Sequence, residues 1–346
     1  MTITEVAYCT REMVQRALNI ADNPRLNDRV DNAVMAGARQ VEGYLHRRFY
    51  PETMTVSFDH PDDQFLWLYR DLAGDPTEIL SGGTPMVIDT DVLLRPRGGP
   101  PFRWLEARFS GDVFWQSHDT PQNAIGITGD WGYPTTTVAA ATLAASVSSS
   151  ATTIQLDFSA QVGAGSLILV GTERMIVTGK TYVTTGATLA GDLTASKSVG
   201  TVAVSDGTVF EAGEAIVIDS ERMFVETVIG NNLTVDRAVN GSALAAHTTG
   251  ATVYAPRSAG VLRGVLGSTA AAHSSAAAVS LLKPPSLVTE LNLAYAINNT
   301  EQALASYSRN SGSADNARLA PGRGVADIEA DAYTAYGVKN RTRAVM

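Results

Sequence analysis

Two patterns recur within the second half of this 346-residue chain, and they limit its fold more than any other feature. A segment with the pair Glu173-Arg174 returns 48 residues later with the pair Glu221-Arg222 at the same place. A second segment, Arg237 to His247, returns 26 residues later as Arg263 to His273. Repeated units of this kind build scaffolds, so the pattern predicts a structural protein.

Each Glu-Arg pair lies in a predicted four-residue turn, 171–174 or 219–222, between two short apolar strands. We interpret the pairs as turn residues or local ion pairs, because one active site rarely needs the same residue twice. The loops that begin at the two arginines each end at a histidine, His247 or His273. A histidine placed in this way is expected to close its loop by hydrogen bonding to the backbone, with ligand binding or pH sensing as the alternative.

Composition excludes several classes of protein. The single cysteine, Cys9, rules out a disulfide framework and a thiolate zinc site, and it indicates folding in a reducing cytoplasm. Neither a signal peptide nor an apolar run long enough to span a membrane is evident. The net charge is −9, and residues 139–256 hold ten Asp or Glu against five Lys or Arg. This acidic region is not expected to attract a phosphate backbone.

Helices are predicted near the N-terminus, over residues 10–20 and 28–48. The second has an apolar stripe at three-to-four spacing, Asp28 as its N-terminal cap, and Pro51 beyond its end. Its other face carries charges that suit either solvent or a subunit contact. The residues of this helix that we consider for subunit packing are Val30, Val34, Arg39, Val41, Glu42 and Leu45.

Short alternating runs between turn residues predict a small β domain from residue 53 to 133. It contains all four tryptophans and is expected to have an aromatic core. The uncharged stretch 135–151 is read as a linker or a weak edge strand. The predicted strands of the small domain are 55–58, 64–69, 86–88, 102–105 and 124–128.

Helical patterns return over residues 286–307 and 325–336. We therefore expect an α+β multidomain fold with terminal helices packed together, a small β domain, and an inserted region of tandem β-barrels or sandwiches. The predicted segments are an N-terminal helical part, a small β domain, the inserted repeats, and C-terminal helices with a basic tail that pack on the first part. In that order they span residues 1–51, 52–138, 139–284 and 285–346.

No motif for catalysis is present in the sequence. A nucleophile elbow, a phosphate-binding glycine loop, a dinucleotide fingerprint and a His-Glu-x-x-His zinc motif are all missing. The five histidines are not spaced as metal ligands, and the acidic clusters at 59–63 and 89–91 are read as turns rather than calcium loops. The sequence therefore predicts no enzyme, no metal and no cofactor.

Two segments resemble head-to-tail connector (adaptor) proteins of long-tailed bacteriophages. One is 30–51, which ends Ala38-Arg-Gln-Val-Glu-Gly-Tyr-Leu-His-Arg-Arg-Phe-Tyr-Pro51, and the other is Ile125-Gly-Ile-Thr-Gly-Asp-Trp-Gly-Tyr-Pro134. The paired hairpins and the Arg-x3-Gly-x5-His loops resemble an insertion carried by such proteins in phages of actinobacteria.

The resemblance implies a structural virion protein, made in the host cytoplasm, at the neck of the particle. Its partners would be other copies of itself in a ring of twelve, the portal protein, a downstream neck or tail-terminator protein, and the major capsid protein. DNA would pass through the lumen without sequence-specific binding, and no membrane is involved. The family's C-terminal segment docks on the portal, which would give Lys339, Arg341 and Arg343 a partner.

Two other classes of function compete with this one. A tail-tip or host-surface protein would bind glycan through aromatic platforms in the repeats, which hold five aromatic residues: Phe158, Tyr182, Phe210, Phe224 and Tyr254. A hydrolase would need an acid pair or a nucleophile, and the sequence offers neither. The basic tail could also be a solvated terminus without a partner.

Overall fold

A computed structural model describes residues 3–117, 119–304 and 324–338 of the chain. Four helices and seventeen strands are present in these residues, and the strands form two antiparallel sheets, so the fold is α+β. The helices are α1 (Arg11–Leu18), α2 (Pro24–Leu45), α3 (Ser286–Leu304) and α4 (Val325–Tyr336). The strands up to residue 142 are β1 (Glu52–Phe58), β2 (Phe65–Leu72), β3 (Glu78–Ser81), β4 (Thr84–Pro85), β5 (Val92–Arg95), β6 (Phe102–Ala107), β7 (Ile125–Trp131) and β8 (Thr136–Thr142). The later strands are β9 (Thr153–Gln155), β10 (Leu167–Val170), β11 (Glu173–Thr188), β12 (Thr201–Ala203), β13 (Ala215–Ile218), β14 (Glu221–Ile229), β15 (Asn232–Arg237), β16 (Thr252–Leu262) and β17 (Ala278–Lys283).

The described residues fall into two compact units. The large unit lies within Met1–Val41, Thr137–Val265 and Thr269–Ala332, and the small unit lies within Glu42–Thr136, Leu266–Ser268 and Tyr333–Met346. The four-segment division made from the sequence remains a prediction. No helix among the described residues is long and apolar enough to cross a bilayer.

Helix α2 begins four residues before its predicted start. Asn23, and not Asp28, supplies the cap, because the Asn23 side-chain oxygen accepts a hydrogen bond from the Leu26 amide at 3.1 Å. Pro24 then occupies the first helical position, where its missing N–H costs nothing. His46 takes a left-handed conformation (φ 53°) directly after the last helical residue.

The N-terminal segment packs against helices from both ends of the large unit. Asn292 of α3 is buried, and its side-chain oxygen accepts hydrogen bonds from the Tyr8 and Cys9 amides at 2.8 and 2.9 Å. Arg11 of α1 forms a buried two-pronged ion pair with Asp31 of α2, at 2.7 and 2.6 Å. Contacts between residues nearly 300 positions apart therefore join the two ends of the chain within this unit.

The small unit is built around strand β7, which pairs with β1 along its full length and also with β3 and β2. Its core contains two of the four tryptophans, Trp115 and Trp131. The predicted strand over 86–88 is wrong: the chain there leaves β4, and Ile88 makes a single bridge to Val92. Strands β3 and β5 were not predicted, because four-residue strands carry too few alternations to reveal a period.

The large unit contains a ten-stranded sheet with two separate hydrophobic cores. One core uses residues 187–253, and the other uses residues on both sides of that segment, 140–177 and 259–281. One β module is therefore nested inside the other, and the tandem order that we predicted is wrong. The long antiparallel pair of β11 and β16 carries the chain into the inner module and back. Strand β8 lies at the sheet edge beside β17, which agrees with the edge-strand reading of 135–151.

Candidate functional site: two buried Glu-Arg-His clusters and an aromatic cavity

The outer cluster is centred on Glu173, at the start of β11. Its carboxylate accepts two hydrogen bonds from Arg263, at 2.7 and 2.8 Å, and one from the ring of His273 at 2.8 Å. The amides of Gly264 and Ala271 donate to the same carboxylate at 3.1 and 3.0 Å. The guanidinium of Arg263 also donates to the carbonyl oxygens of Ser148, Ala151 and Ala271. The cluster thus joins three segments that are far apart in sequence.

The inner cluster repeats this arrangement around Glu221, at the start of β14. Arg237 donates to the Glu221 carboxylate at 3.0 and 2.6 Å, and His247 contacts it at 2.9 Å. The amides of Ala238 and Ala245 supply the matching backbone bonds, at 3.1 and 3.0 Å. The remaining guanidinium hydrogens go to the carbonyl oxygens of Thr194, Ser196 and Ala245. In both modules, therefore, the loop between the arginine and the histidine is held by hydrogen bonds to the first strand residue after a hairpin turn.

The two clusters differ in the first residue of their hairpin turns. The first residue of the inner turn is Asp219, whose carboxylate contacts Nδ1 of His247 at 2.7 Å. The same place in the outer turn is Gly171, and both residues take positive φ, 53° and 61°. His247 therefore has a carboxylate oxygen within hydrogen-bonding distance of each of its two ring nitrogens.

The predicted role of the two Glu-Arg pairs is wrong in part. Each turn has two residues and not four, because Val170 pairs with Glu173 and Ile218 pairs with Glu221. Each glutamate is therefore a buried strand residue, and its ion-pair partner lies 90 positions away in the outer cluster and 16 in the inner one. The neighbouring arginines have different contacts: the Arg174 carbonyl accepts from Val265, and Arg222 pairs with Asp22 at 3.3 Å.

The predicted role of the two histidines also needs correction. Their backbone groups do pair with the loops, since His247 bonds to Leu193 and His273 to Val147. Their rings, however, bind carboxylates and not the backbone. Sequence reasoning matched the repeated positions but could not find the Glu-His contact, because the order of the four segments does not say which loop closes which hairpin.

The electrostatics of both clusters favour an ionised glutamate. Burial alone would raise the pKa of Glu173, but hydrogen bonds from Arg263, the Ala271 amide and His273 outweigh it and lower the pKa to about 2. The same balance between burial and the bonds from Arg237, His247 and Ala245 lowers the pKa of Glu221. Such a carboxylate is a poor proton acceptor at neutral pH, so the arrangement suits structural anchoring better than acid-base chemistry.

The helix residues considered for subunit packing divide into two groups. Val30, Val34, Val41 and Leu45 are fully buried within the single chain, which leaves them nothing to offer a second subunit. Arg39 donates to the Val6 carbonyl at 3.1 Å and lies 3.7 Å from Glu5, and Glu42 is half-buried. The tail residues Lys339, Arg341 and Arg343 lie outside the described residues.

An open cavity of about 450 Å³ lies on the small unit, and we call it the aromatic cavity. Phe109 and Phe114 stack there with ring centres 5.7 Å apart and planes 16° from parallel. Phe109 is 83% exposed, although it is a large apolar side chain. Asp62 and Asp63 are exposed beside the rings, and the lining contains no lysine or arginine. The lining residues are His60, Pro61, Asp62, Asp63, Gln64, Phe65, Phe109 and Phe114.

Further aromatic surface lies on strands β2 and β6 of the same unit. Tyr69 is 67% exposed and Trp67 is 48% exposed, and the Trp67 ring lies 5.0 Å from that of Trp104. Sequence reasoning placed all four tryptophans in one core and missed this surface, since alternation along β2 does not say which side is covered.

No group of three or more His, Cys, Asp or Glu side chains that could hold a metal is found in the described part of the chain. Comparison of the chain with protein-family models, curated proteins and solved structures finds no match.

Proposed function

We propose that this chain is a head-to-tail connector subunit of a long-tailed bacteriophage, one member of a closed ring between the portal and the tail. The observation that carries the proposal is that the charged clusters of the chain are buried whereas several of its large aromatic side chains are exposed. The buried charged clusters are anchors inside the β modules, whereas large aromatic side chains of the small unit face outward. Exposed aromatic surface of this kind marks protein-protein contact, which is what an assembly subunit needs.

The end of the first segment that resembles connector proteins, residues 42–51, lies against the second segment in the small unit, which supports treating these residues as one module. The Tyr133 amide donates to the Arg48 carbonyl at 2.7 Å, and Glu52 pairs with Trp131. Gly132 lies so close to Pro51 that an added Cβ would be 2.9 Å from the Pro51 Cα. A side chain at position 132 would therefore separate the two segments.

The proposal assigns partners by analogy with the connector family. The ring has twelve copies, binds the portal on one side and a neck or tail-terminator protein on the other, and contacts the major capsid protein at the vertex. DNA passes through its lumen without base-specific binding, and a net charge of −9 suits a channel that must not retain the phosphate backbone. The two nested β modules form the inserted repeat domain of this assembly.

Glycan binding at the tail tip is the alternative, and the pair Trp67 and Trp104 is the observation that favours it. The repeats themselves give it little support. Arg257 covers the ring of Phe158, Arg16 covers Phe224 at 4.0 Å, and Phe210 is buried. Tyr254 is the one aromatic residue of the repeats that is exposed, at 39%, so the paired rings of Trp67 and Trp104 on the small unit offer the larger aromatic platform for sugar.

Electron microscopy of virions made with and without the chain tests the proposal. Full capsids without attached tails are expected when the chain is missing. Tailed particles that fail to adsorb would refute the connector role and favour glycan binding.

A surface variant sharpens the same test. Tyr69→Ser with Phe109→Ser is expected to fold and yet fail to restore tails, because both side chains are exposed. The matched control is Ile229→Ser, which removes a 72% exposed apolar side chain from the large unit and should restore tails fully. If both variants restore tails equally well, the result would argue against the aromatic surface as the site of protein-protein contact.

A further inference from the structure

The aromatic cavity has the chemistry of a receptor for a basic side chain. A guanidinium or ammonium group is attracted to an aromatic face within about 6 Å, and the stacked pair Phe109 and Phe114 presents such a face. Asp62 and Asp63 also line the cavity and add two carboxylates to it. One carboxylate oxygen of Asp63 accepts a hydrogen bond from the Phe65 amide at 2.7 Å, which fixes the position of the carboxylate.

The charge of the lining excludes several other ligands. With two aspartates and no lysine or arginine, the cavity would repel a phosphate or a carboxylate. Its rings would lie uncovered in water in the absence of a partner, and Phe109 is the most exposed large apolar side chain of the described residues. A ligand that covers apolar area and carries positive charge matches both features of the lining, as arginine and lysine do with their aliphatic stems.

We propose that the aromatic cavity binds the C-terminal segment 339–346 of a second copy of this chain, through Arg341 or Arg343. That segment is Lys-Asn-Arg-Thr-Arg-Ala-Val-Met, with three cations and no acid. It follows directly after Val338, whose amide bonds to the Leu45 carbonyl at 3.2 Å, so its root is fixed at the end of α2. Eight residues beyond that point can extend about 26 Å.

The inference rests on the proposed ring, because the ring places a second copy of the chain beside the first. The contact between tail and cavity would be heterologous, which means that one surface of each subunit meets a different surface of the next. The competing possibility is that the segment 339–346 docks on the portal and not on a second copy of this chain.

A peptide titration tests the contact itself. The synthetic peptide of residues 339–346 is titrated by calorimetry into the full chain with Lys339, Arg341 and Arg343 all changed to Gln, so that the chain's own tail does not compete. We expect one peptide per chain and a loss of at least tenfold in affinity with Asp62→Asn and Asp63→Asn. The control pair Glu226→Gln and Asp236→Asn removes the same charge from exposed positions of the large unit and should change little. No binding, or equal loss in both pairs, would overturn the proposal.

A mixing experiment tests whether the contact joins two copies. One full chain carries Asp62→Lys and Asp63→Lys, and the other carries Arg341→Glu and Arg343→Glu. Each alone should sediment as a monomer, whereas their mixture should associate, since each cavity then meets a tail of opposite charge. A mixture that stays monomeric would refute the contact between copies.

The two proposals can fail separately. Missing tails on particles without the chain, combined with no peptide binding, would keep the connector and reject this contact. Peptide binding with normal particles would do the reverse.

Discussion

Removal of Arg237 is the sharpest test of what the buried clusters do. Arg237→Leu deletes the two bonds to Glu221, at 3.0 and 2.6 Å, and three bonds to loop carbonyl oxygens. The side chains of both Arg237 and Glu221 are fully buried. The variant therefore leaves a carboxylate inside the protein with only His247 and two backbone amides as partners.

The structure sets the size of the effect. Removal of one partner from a buried ion pair typically costs about 3–5 kcal/mol, and we expect Arg237→Leu to lower the free energy of unfolding by that amount. Arg263→Leu should lie at the lower end, about 3 kcal/mol, because Arg263 is slightly exposed and one of its carbonyl partners, Ser148, lies at the surface. Arg237→Lys keeps the charge but loses the planar fork, so it should cost less than Arg237→Leu.

Urea unfolding with two probes makes this measurable. All four tryptophans lie between residues 67 and 131, so their fluorescence reports on the small unit, whereas circular dichroism reports on both units. The exposed Lys197, changed to Gln, serves as control and should stay within about 0.5 kcal/mol of the unmodified chain. A loss below 1 kcal/mol for Arg237→Leu would refute the reasoning that the cluster anchors the inner module.

Three further outcomes follow from other contacts. His247→Ala should cost more stability than His273→Ala, by about 1 kcal/mol, because only His247 has a second carboxylate, and Asp219→Gly should remove that difference in thermal unfolding. The low pKa of Glu173 means that the folded state binds a proton at this carboxylate less readily than the unfolded state does. The stability that the ionised Glu173 contributes is therefore present above pH 4.5 and is lost as the pH falls towards 2. A shallower acid-unfolding curve is expected for Glu173→Gln, and an unchanged curve would contradict this. Asn292→Ala leaves two buried amides without their acceptor and should cost about 2–4 kcal/mol in urea unfolding, whereas the exposed Asn298→Ala should cost little.

Local patterns in the sequence predicted the elements whose signals are themselves local. The apolar stripe of α2 predicted a helix, which the structure confirms, and its residues Val30, Val34, Val41 and Leu45 are all buried. The hairpins were predicted from apolar runs on either side of a turn, and their strands, β10 with β11 and β13 with β14, pair as expected. The start of α2 was misplaced because Asp28 was predicted as the cap, whereas the Asn23 side chain, five residues earlier, accepts the hydrogen bond from the first turn.

The sequence by itself determined that each repeated unit has a glutamate at a hairpin and a loop that begins at an arginine and ends at a histidine, because repetition marks those residues. Only the tertiary structure decided how they combine. Glu173 meets Arg263 and not Arg237 because β11 pairs with β16 around the whole inner module, and that pairing brings residues 90 positions apart together. Sheet register between distant strands depends on packing of both modules at once, and no local pattern of residues carries that information.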